Sequence, residues 1–509
     1  MPSPSLFIRL NRDDNVVLAR ADITPGTPIP EEGVTTAGHI PAGHKMATRP
    51  IAQGEPIRRY NQIIGFATEA IGTGEHVHVQ NCAMGDFERD YAFCADAKPT
   101  AMLPEAERAT FQGYRRANGK VGTRNYIGIL SSVNCSATTS RMIAAHFERS
   151  GVLDQFPNVD GVVAITHSTG CGMADSGEGY DNLQRTLWGY ARNPNFAGVL
   201  MIGLGCEVNQ IDFLLEAYQI ERGPLFQTMN IQNLGGTRKT VDHCIARVME
   251  MLPEADKARR ETVPASELMV ALQCGGSDGY SGISANPALG AAVDLLVRHG
   301  GSAVLSETPE IYGAEHLLTR RAVNRQVGEK LIARIKWWEG YTARNGGEMN
   351  NNPSPGNKRG GLTTILEKSL GAAAKGGTTN LVEVYKYAEQ MTAKGFVFMD
   401  TPGYDPASAT GQVAGGAQIV CFTTGRGSVS GFKPAPCIKV ATNSTMYRHM
   451  EEDMDINCGT IIDGDESIEQ AGRRIFEMFL AVASGAETKS EAQGFGDNEF
   501  VPWQIGAVM

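Results

Sequence analysis

Four cysteines occupy matching places in the sequence, because each one closely follows a short apolar run. They are Cys135, Cys171, Cys206 and Cys274. Runs of this kind predict buried parallel strands, whose carboxyl ends meet along one edge of a sheet. We therefore expect the four thiols to face one crevice. Thiolates bind iron and zinc more readily than hard cations, which indicates a metal site, whereas each cysteine alone could equally be a small buried apolar residue.

Groups that can ligate a metal or transfer a proton lie close to these cysteines in the sequence. The nearest are His167, Glu207 and Asp278, and Asp278 belongs to the glycine-rich stretch LQCGGSDGYSGISANPALG, residues 272–290. Glycine allows a backbone to approach a ligand closely, so this stretch is predicted to bind a ligand, with an ordinary tight turn as the alternative. No CxxC spacing occurs, which argues against a zinc knuckle.

Histidines are concentrated in two short stretches near the amino terminus. The stretch AGHIPAGHK contains His39, His44 and Lys45, and this combination indicates acid/base chemistry or metal ligation. In EHVHV, His76 and His78 alternate along a predicted strand and therefore share one face. Such a pair can bind a metal, but a solvated strand edge explains it equally well.

Basic residues between glycines predict places where an anion binds. Lys358 and Arg359 belong to the polar stretch NGGEMNNNPSPGNKRGGL, which is too irregular to predict a helix or a strand. Arg426 lies between glycines in VCFTTGRGS, and Lys439 and Asn443 follow another apolar run. We expect these side chains and the neighbouring backbone N–H groups to hold an anion, although the first stretch could also be a solvated, mobile loop.

The elements that position these groups divide into several domains, because 509 residues are too many for one core. Residues 1–80 alternate short apolar runs with turn signals and predict a small all-β domain, and residues 81–112 resemble a linker. A central α/β domain over 113–265 and a C-terminal α/β domain over 266–509 are predicted from apolar strands that alternate with helical segments. The first domain is expected to be detachable, since the parallel strands start only after Tyr114.

Composition narrows the class of function. A net charge of −10 without a long basic run argues against nucleic acid as a partner and favours a small-molecule substrate. Because no run of 18 apolar residues and no secretory leader occur, we expect no contact with a membrane and a cytoplasmic location. Ten cysteines are too few for a disulfide scaffold in a chain of this length, so we expect them to be free thiols.

Taken together, these motifs resemble the altronate and galactarate dehydratase family. The resemblance covers almost the whole chain and is carried by GHK at 43–45, GYRRANGKVGTRN at 113–125, Gly170-Cys171, GLGCE at 203–207, CGGSDGYSGISANP at 274–287, NPSPGNKRGG at 352–361 and FTTGRGS at 422–428. It implies an α/β protein with an amino-terminal β-clip (SAF-like) domain. It also implies loss of water from an aldonic or aldaric acid, assisted by iron(II) or manganese(II), and we expect a homodimer.

The stretches EHVHVQN and EIYGAEHLL are more similar to the altronate branch of the family, so altronate is the first expected substrate and galactarate the second. The stretch TTGRGSVSG departs from the usual family pattern. A related branch, the sulfolactate sulfo-lyases, divides the β-clip domain and the large region between two chains, and it remains an alternative. Another alternative is a non-catalytic sugar-acid sensor that keeps the fold and the pocket.

Dehydration of a dihydroxy acid needs a base for the proton next to the carboxylate, an electrophile for the enediolate and an acid for the departing hydroxyl. We expect His44 to be an acid/base group on a mobile loop, Lys45 to neutralise the substrate carboxylate and Asp278 to be a second proton carrier. The candidate metal ligands are His167, Cys171, Cys206 and Cys274. The candidate substrate-binding residues are Arg124, Asn125, Ser277, Asn286, Lys358 and Arg426. Alternatively, three of the four strand-end cysteines hold an iron–sulfur cluster whose open iron binds the hydroxyl.

Overall fold

The computed structural model describes residues 5–87, 89–506 and 508. Its strands are β1 (Phe7–Ile8), β2 (Val16–Ala19), β3 (Pro28–Ile29), β4 (Val34–Thr35), β5 (Lys45–Ala47), β6 (Pro56–Arg59), β7 (Gln62–Ala67), β8 (His76–Val77), β9 (Cys82–Ala83), β10 (Thr110–Arg115), β11 (Val121–Gly122), β12 (Tyr126–Ser131), β13 (Gly161–Ile165), β14 (Phe196–Gly203), β15 (Phe226–Asn230), β16 (Arg260–Pro264), β17 (Met269–Cys274), β18 (Ser302–Leu305), β19 (Leu381–Tyr385), β20 (Phe396–Met399), β21 (Ile419–Thr424), β22 (Cys437–Ala441) and β23 (Ile456–Asn457).

The α-helices lie between these strands. They are α1 (Asn134–Ser150), α2 (Glu178–Ala191), α3 (Ile211–Tyr218), α4 (Ile231–Leu234), α5 (Thr237–Ala255), α6 (Ala285–Arg298), α7 (His316–Thr319), α8 (Arg325–Arg344), α9 (Pro355–Arg359), α10 (Ile365–Ala374), α11 (Asp405–Ala414), α12 (Ser444–His449), α13 (Gly459–Asp463), α14 (Ile468–Ala483) and α15 (Lys489–Ala492). Short 3-10 helices cover Glu105–Glu107, Val152–Gln155, Ala265–Glu267, Thr308–Ile311 and Met349–Asn351.

The amino-terminal domain consists of short antiparallel strands, as predicted. Its sheets have the strand orders β1-β2-β5-β8, β3-β4 and β6-β7-β9. The similar stretches ITPGTPI and IAQGEPI form comparable turns, because Gly26 before β3 and Gly54 before β6 both have a positive φ, of 78° and 81°. Glycine adopts this left-handed conformation without a steric penalty, which explains its place in both turns.

Two separate parallel sheets follow, where the sequence suggested one shared edge. The central sheet has the order β13-β12-β14-β15, and the C-terminal sheet has the order β19-β20-β18-β17-β21-β22-β23. All neighbouring strands within each sheet are parallel. A smaller antiparallel sheet, β11-β10-β16, pairs the strands that enter and leave the central domain. The four predicted strands that precede the cysteines exist, but β17 belongs to the second sheet.

The amino-terminal domain is not an independent module. One apolar cluster combines its residues Val16, Ala47 and Ile57 with Leu370 and Ala373 of α10. Burial of apolar side chains stabilises each partner only while the other is present. The shared cluster argues against a detachable domain, and folding of the chain without residues 1 to about 100 stays a prediction. Turn-rich β sequence does not reveal which of its faces a second domain covers.

The stretch around Lys358 is also more regular than predicted. It contains the 3-10 helix Met349–Asn351 and the five-residue helix α9. The side chains of Ser354 and Asn357 form a capping box at the start of α9. A helix of this length is too short to show an apolar period, so no periodic pattern predicts it.

Within residues 5–87, 89–506 and 508, no helix combines the length and the apolar character that a membrane crossing requires.

Candidate functional site

Three of the glycine-rich motifs meet where the amino-terminal domain contacts the C-terminal domain. A Cβ atom at either Gly279 or Gly361 would collide with the carbonyl oxygen of Gly43. The backbone N–H of Gly279 also donates a hydrogen bond of 2.7 Å to the carbonyl oxygen of Gly360. Only glycine permits backbones to approach this closely, so these positions bring the GHK, CGGSDGYSG and NKRGG stretches together.

A fourth motif, FTTGRGS, joins the same place from the end of β21. The backbone N–H groups of Gly425 and Arg426 donate to the carbonyl oxygen of Gly276 at 3.1 and 2.9 Å. The side chain of Asn357 donates to the carbonyl oxygen of Ser277 at 2.9 Å. These bonds place Arg426 and the helix that carries Lys358 on either side of one loop.

Three of the predicted substrate-binding side chains therefore lie around this loop, namely Ser277, Lys358 and Arg426. Arg426 is exposed and Lys358 is half-buried. In the part of the chain that the structure describes, the polar ends of these three side chains make no hydrogen bond, unlike most charged groups nearby. These polar groups are available to an anionic ligand, and binding of an anion by this loop stays a prediction.

A cluster of three histidines borders the same loops. The Nδ1 atom of His44 lies 2.9 Å from Nε2 of His76, and the rings of His44 and His78 have centroids 4.6 Å apart. One nitrogen from each ring lies within 4.8 Å of the other two. The sequence predicted that His76 and His78 share a face, but it could not show that His44, the residue before β5, joins them.

The histidine cluster has the properties of a metal site. Burial lowers the pKa of His44, and it lowers the pKa of His76 to about 4 and that of His78 to about 3, so the rings are neutral near pH 7. The Nε2 atom of His44 lies 3.3 Å from the carbonyl oxygen of Arg359. A donor role for Nε2 leaves Nδ1 with its lone pair, which is the usual arrangement of a ligating histidine.

An unused ring atom supports the same assignment. The Nδ1 atom of His78 is buried and has no hydrogen-bond partner among the residues that the structure describes. A buried polar atom without a partner is costly unless a ligand or a water satisfies it. Three neutral imidazoles suit iron(II), manganese(II) or zinc(II).

Lys45 has a different role from the predicted one. Its ammonium is fully buried and lies 2.9 Å from the carboxylate of Glu367, which also accepts a hydrogen bond of 2.7 Å from Arg59. Burial alone would raise the pKa of Glu367, but the attraction of Lys45 and Arg59 lowers it to about 2. Because the charge of Lys45 is already compensated, this residue fastens the amino-terminal domain to α10 and is not free to neutralise a substrate carboxylate.

Asp278 is likewise engaged in holding the site together. Its carboxylate accepts hydrogen bonds from the side chains of Thr442, Asn443 and Ser281 and from the backbone N–H of Tyr280. Burial raises the pKa of this carboxyl, and the hydrogen bonds act against that rise. Both carboxylate oxygens are occupied, so the predicted proton transfer by Asp278 would require breaking bonds that connect three loops.

Three other predicted substrate-binding residues lie outside the site. Arg124 forms a bidentate ion pair with Glu491 and donates its remaining N–H groups to backbone carbonyls. The side chain of Asn125 bonds to Arg116 and to two backbone carbonyls. The side chain of Asn286 bonds to Thr423 and to one backbone carbonyl. Arg124 and Asn125 precede β12, at the amino ends of the parallel strands, whereas ligands bind at the carboxyl ends.

The predicted metal ligands are not brought together either. Cys171 and Cys206 are exposed at the carboxyl edge of the central sheet, whereas Cys274 is buried in the C-terminal sheet. His167 has no nitrogen left for a metal, because Nε2 lies 3.0 Å from the carbonyl oxygen of Ser131 and Nδ1 accepts from the backbone of Thr169. The prediction of one crevice lined by all four strand-end thiols is wrong, because the chain forms two sheets.

Cys274 instead belongs to a buried cluster of charged residues at the carboxyl ends of β17 and β18. Its Sγ atom accepts from Lys375 at 2.8 Å, and Lys375 also lies 3.2 Å from Glu307. Lys368 lies 2.6 Å from Glu310. The thiol of Cys274 and the carboxylates of Glu307 and Glu310 form a second group of three possible ligand atoms within 4.8 Å of one another. The ammonium groups of Lys368 and Lys375 lie in the same cluster and repel a cation.

Sequence reasoning missed Glu307 and Glu310, although a signal existed. Glu307 comes two residues and Glu310 five residues after the apolar strand β18, so both fall under the strand-end rule that identified the cysteines. Glu307 has a φ of 67°, in the left-handed region that non-glycine residues rarely adopt. Strain of this kind often accompanies a functional position. Lys368 and Lys375 could not be found, because their helix gave no sign of the face that it buries.

Comparison with known proteins gives matches along the whole chain. The altronate/galactarate dehydratase SAF domain matches residues 5–85, the second domain of D-galactarate dehydratase/altronate hydrolase matches residues 113–256, and the C-terminal domain of D-galactarate/altronate dehydratase matches residues 265–508. The galactarate dehydratase (L-threo-forming) of Escherichia coli strain K12 is 39% identical over 490 residues, which cover 94% of this chain and 93% of that protein.

Two further relatives differ from each other in the reaction that their names state. The altronate dehydratase of Bacillus subtilis strain 168 is 35% identical over 498 residues, covering 96% of this chain and 97% of that protein. The beta subunit of (2R)-sulfolactate sulfo-lyase from Chromohalobacter salexigens is 33% identical over 400 residues, covering 78% of this chain and 98% of that subunit.

Proposed function

Because the chain belongs to the altronate and galactarate dehydratase family, we propose that it removes water from an aldonic or aldaric acid to give a 2-keto-3-deoxy acid. It is a carbon–oxygen lyase and not a non-catalytic sensor, since its galactarate and altronate dehydratase relatives are enzymes of that class. One structural observation carries the proposal. Four motifs that are distant in sequence converge on one loop, beside side chains with unused polar groups.

The side chains of Arg426 and Lys358 are proposed to bind the substrate carboxylate. A guanidinium presents paired N–H donors that match a carboxylate, and an ammonium adds charge without a fixed direction. Removal of the neighbouring proton places additional negative charge on the carboxylate oxygens as the enediolate forms. The same two cations then stabilise the transition state more than the bound substrate, which is the requirement for catalysis. The hydroxyl of Ser277 is proposed to bind a substrate hydroxyl.

The metal implied by the resemblance fits the histidine cluster better than the predicted thiols. His44, His76 and His78 would hold it, and the carbonyl of Arg359 would fix the ring of His44. A divalent metal at this place supplies a Lewis acid for the carboxylate and for the departing hydroxyl. We therefore propose His44 as a ligand, in place of the proton carrier expected from the sequence.

The decisive experiment is an assay for 2-keto products with a panel of aldonic, aldaric and sulfonated hydroxy acids. We expect turnover of altronate or galactarate with iron(II) under anaerobic conditions, loss of turnover after chelation, and recovery with iron(II) or manganese(II). Full activity of metal-free protein would contradict a catalytic role for a metal. Absence of turnover with every sugar acid would contradict the proposed dehydration.

A matched pair of variants tests the ligand assignment. We expect His44→Ala to lose both the metal and the activity, whereas His39→Ala keeps both. His39 lies on the same AGHIPAGHK stretch but is exposed and outside the cluster. If His44→Ala instead keeps its metal and loses only its rate, His44 is the proton carrier that the sequence suggested.

Sulfite elimination from sulfolactate is the second candidate function. It is favoured by the match of the sulfo-lyase beta subunit to 78% of this chain. Release of sulfite from sulfolactate, with no keto product from the sugar acids, would establish it.

A further inference from the structure

Three exposed cysteines remain outside the proposed dehydration site, and all three lie at the carboxyl edge of the central sheet. Cys135, Cys171 and Cys206 follow β12, β13 and β14, which are neighbouring parallel strands in the order β13-β12-β14. None of the other seven cysteines is exposed. Cysteine is among the most frequently buried residue types, so three exposed thiols on three adjacent loops require an explanation.

Hydrogen bonds connect the three loops directly. The backbone N–H of Asn134 donates to the carbonyl oxygen of Thr169 at 2.9 Å, and that of Asn209 donates to Gly170 at 3.0 Å. The side chain of Asn209 donates to the carbonyl oxygen of Ser132 at 2.9 Å. A Cβ atom at Gly170 would lie within 3 Å of Val133, so this glycine lets the Cys171 loop approach the loop of Cys135. The three loops that carry the cysteines are therefore held against one another.

Two buried side chains fix the loops that carry the thiols. The carboxylate of Glu207 accepts from the hydroxyl of Ser132 at 2.7 Å and from the backbone N–H groups of Leu204 and Gly205 at 3.1 and 2.6 Å. His167 bonds to both the end of β12 and the start of its own loop. Both residues were predicted as possible ligands, but their contacts make them supports for the cysteines. Pre-organised ligands of this kind are typical of a metal centre.

The surroundings favour negatively charged sulfur. Cys135 is the second residue of α1, and the amino end of a helix of 17 residues presents free N–H groups and a partial positive charge. The side chain of Gln232 donates to Sγ of Cys206 at 3.2 Å. Hydrogen bonds to sulfur stabilise thiolate ligands and the sulfides of a cluster.

We propose that Cys135, Cys171 and Cys206 hold a 4Fe–4S cluster. The spacing argues against a single ion, because ligands of one zinc at about 2.3 Å must lie about 4 Å apart. Among the described residues, two groups of three possible ligand atoms lie within 4.8 Å of one another, and neither group includes these thiols. A cluster accepts ligands that are farther apart. Three thiolates leave the fourth iron open to an oxygen ligand, such as a hydroxyl or carboxylate of a hydroxy acid.

The test is chemical analysis of the full chain, purified without oxygen and, where needed, reconstituted with iron and sulfide. We expect about four acid-labile sulfides per chain and a brown colour with broad visible absorption. The variants Cys135→Ser, Cys171→Ser and Cys206→Ser should each lose most of the sulfide and the absorption. The matched control Cys94→Ser should keep both, because Cys94 is half-buried and lies far from the central sheet in the chain.

Acid-labile sulfide separates this inference from the proposed function. A mononuclear iron at the histidine cluster contributes iron but no sulfide, so His44→Ala should keep the sulfide while it loses one metal. Protein that contains no sulfide after reconstitution, that binds zinc alone at these thiols, or whose three cysteine variants keep the absorption would overturn the proposal. The dehydratase activity could survive each of those results.

Discussion

The carboxyl edges of the two parallel sheets carry the same sequence signal but have opposite environments. At the central sheet, Cys135 comes four residues after the last residue of β12 and is exposed. At the C-terminal sheet, Cys274 is itself the last residue of β17 and is buried between Lys375 and Glu310. The distance of a cysteine from its strand end, and the element that covers that end, decide whether its thiol faces solvent or a packed interior.

Helix α10 and Lys375, the residue that follows it, cover the carboxyl edge of the C-terminal sheet. Lys368 and Lys375 reach the buried carboxylates beneath it, and Glu367 binds Lys45 and Arg59 of the amino-terminal domain. One helix therefore connects the charged cluster to the second domain. The three thiols at the carboxyl edge of the central sheet are exposed, so this edge is accessible to a cofactor.

Thiol labelling would test this contrast most directly. In protein freed of cofactors, we expect an alkylating reagent at pH 8 to modify Cys135, Cys171 and Cys206 on the order of 10³-fold faster than Cys274. Burial blocks the reagent and raises the pKa of the Cys274 thiol to about 12, so almost no reactive thiolate forms. Mass spectrometry of the labelled peptides measures the rates. Equal rates would mean that the C-terminal edge opens as readily as the central one.

Removal of one carboxylate should show how firmly the C-terminal edge is covered. Glu367→Gln leaves Lys45 and Arg59 buried with one formal negative charge fewer, and breaking such a pair costs about 3–5 kcal/mol. Urea denaturation measures the loss in the free energy of unfolding. The control Glu383→Gln removes a partly exposed pair with Lys330 and should cost about 1 kcal/mol or less. Similar losses in both variants would contradict a tightly covered edge.

The open edge should show its own dependence on pH through His167. Burial lowers the pKa of His167 to about 4, below the value of about 6.5 in an unfolded chain. Between these two pH values the unfolded chain binds a proton that the folded protein does not. The free energy of unfolding therefore has its full value above about pH 6.5 and decreases as the pH is lowered. We expect a loss of about 2 kcal/mol between pH 7 and pH 5. His167→Gln should lack this part of the loss, and parallel curves for both proteins would show that the ring is accessible.

Much of the architecture could be predicted from the sequence, since β12, β13, β14 and β17 appear where apolar runs ended in cysteine-bearing loops. The assignment of these strands to two sheets could not be predicted, because strand order depends on packing between helices far apart in the chain. Arg426 is an exposed loop residue, as a basic residue between glycines indicates, and its role in binding stays a prediction. The sequence was least informative where a polar residue has a distant partner. Arg124 and Lys45 are of this kind, and their partners Glu491 and Glu367 lie more than 300 residues away.

Variants at Arg426, Lys358 and Arg124 distinguish polar residues that are free to bind a ligand from those that stabilise the fold. Arg426→Ala and Lys358→Ala should each lower kcat/KM for the sugar acid by about 10- to 100-fold, through a higher KM and a lower kcat, since one charge-assisted hydrogen bond contributes about 1.5–3 kcal/mol. Neither should change the unfolding midpoint by much, because neither side chain has a partner within the described residues. Arg124→Ala should do the reverse, since it breaks a buried pair with Glu491 and lowers stability while the folded fraction keeps its KM. Steady-state kinetics with urea denaturation on all three variants measures both properties. If Arg124→Ala raised KM as much as Arg426→Ala, the substrate would bind near the central domain, and the site between the amino-terminal and C-terminal domains would be wrong.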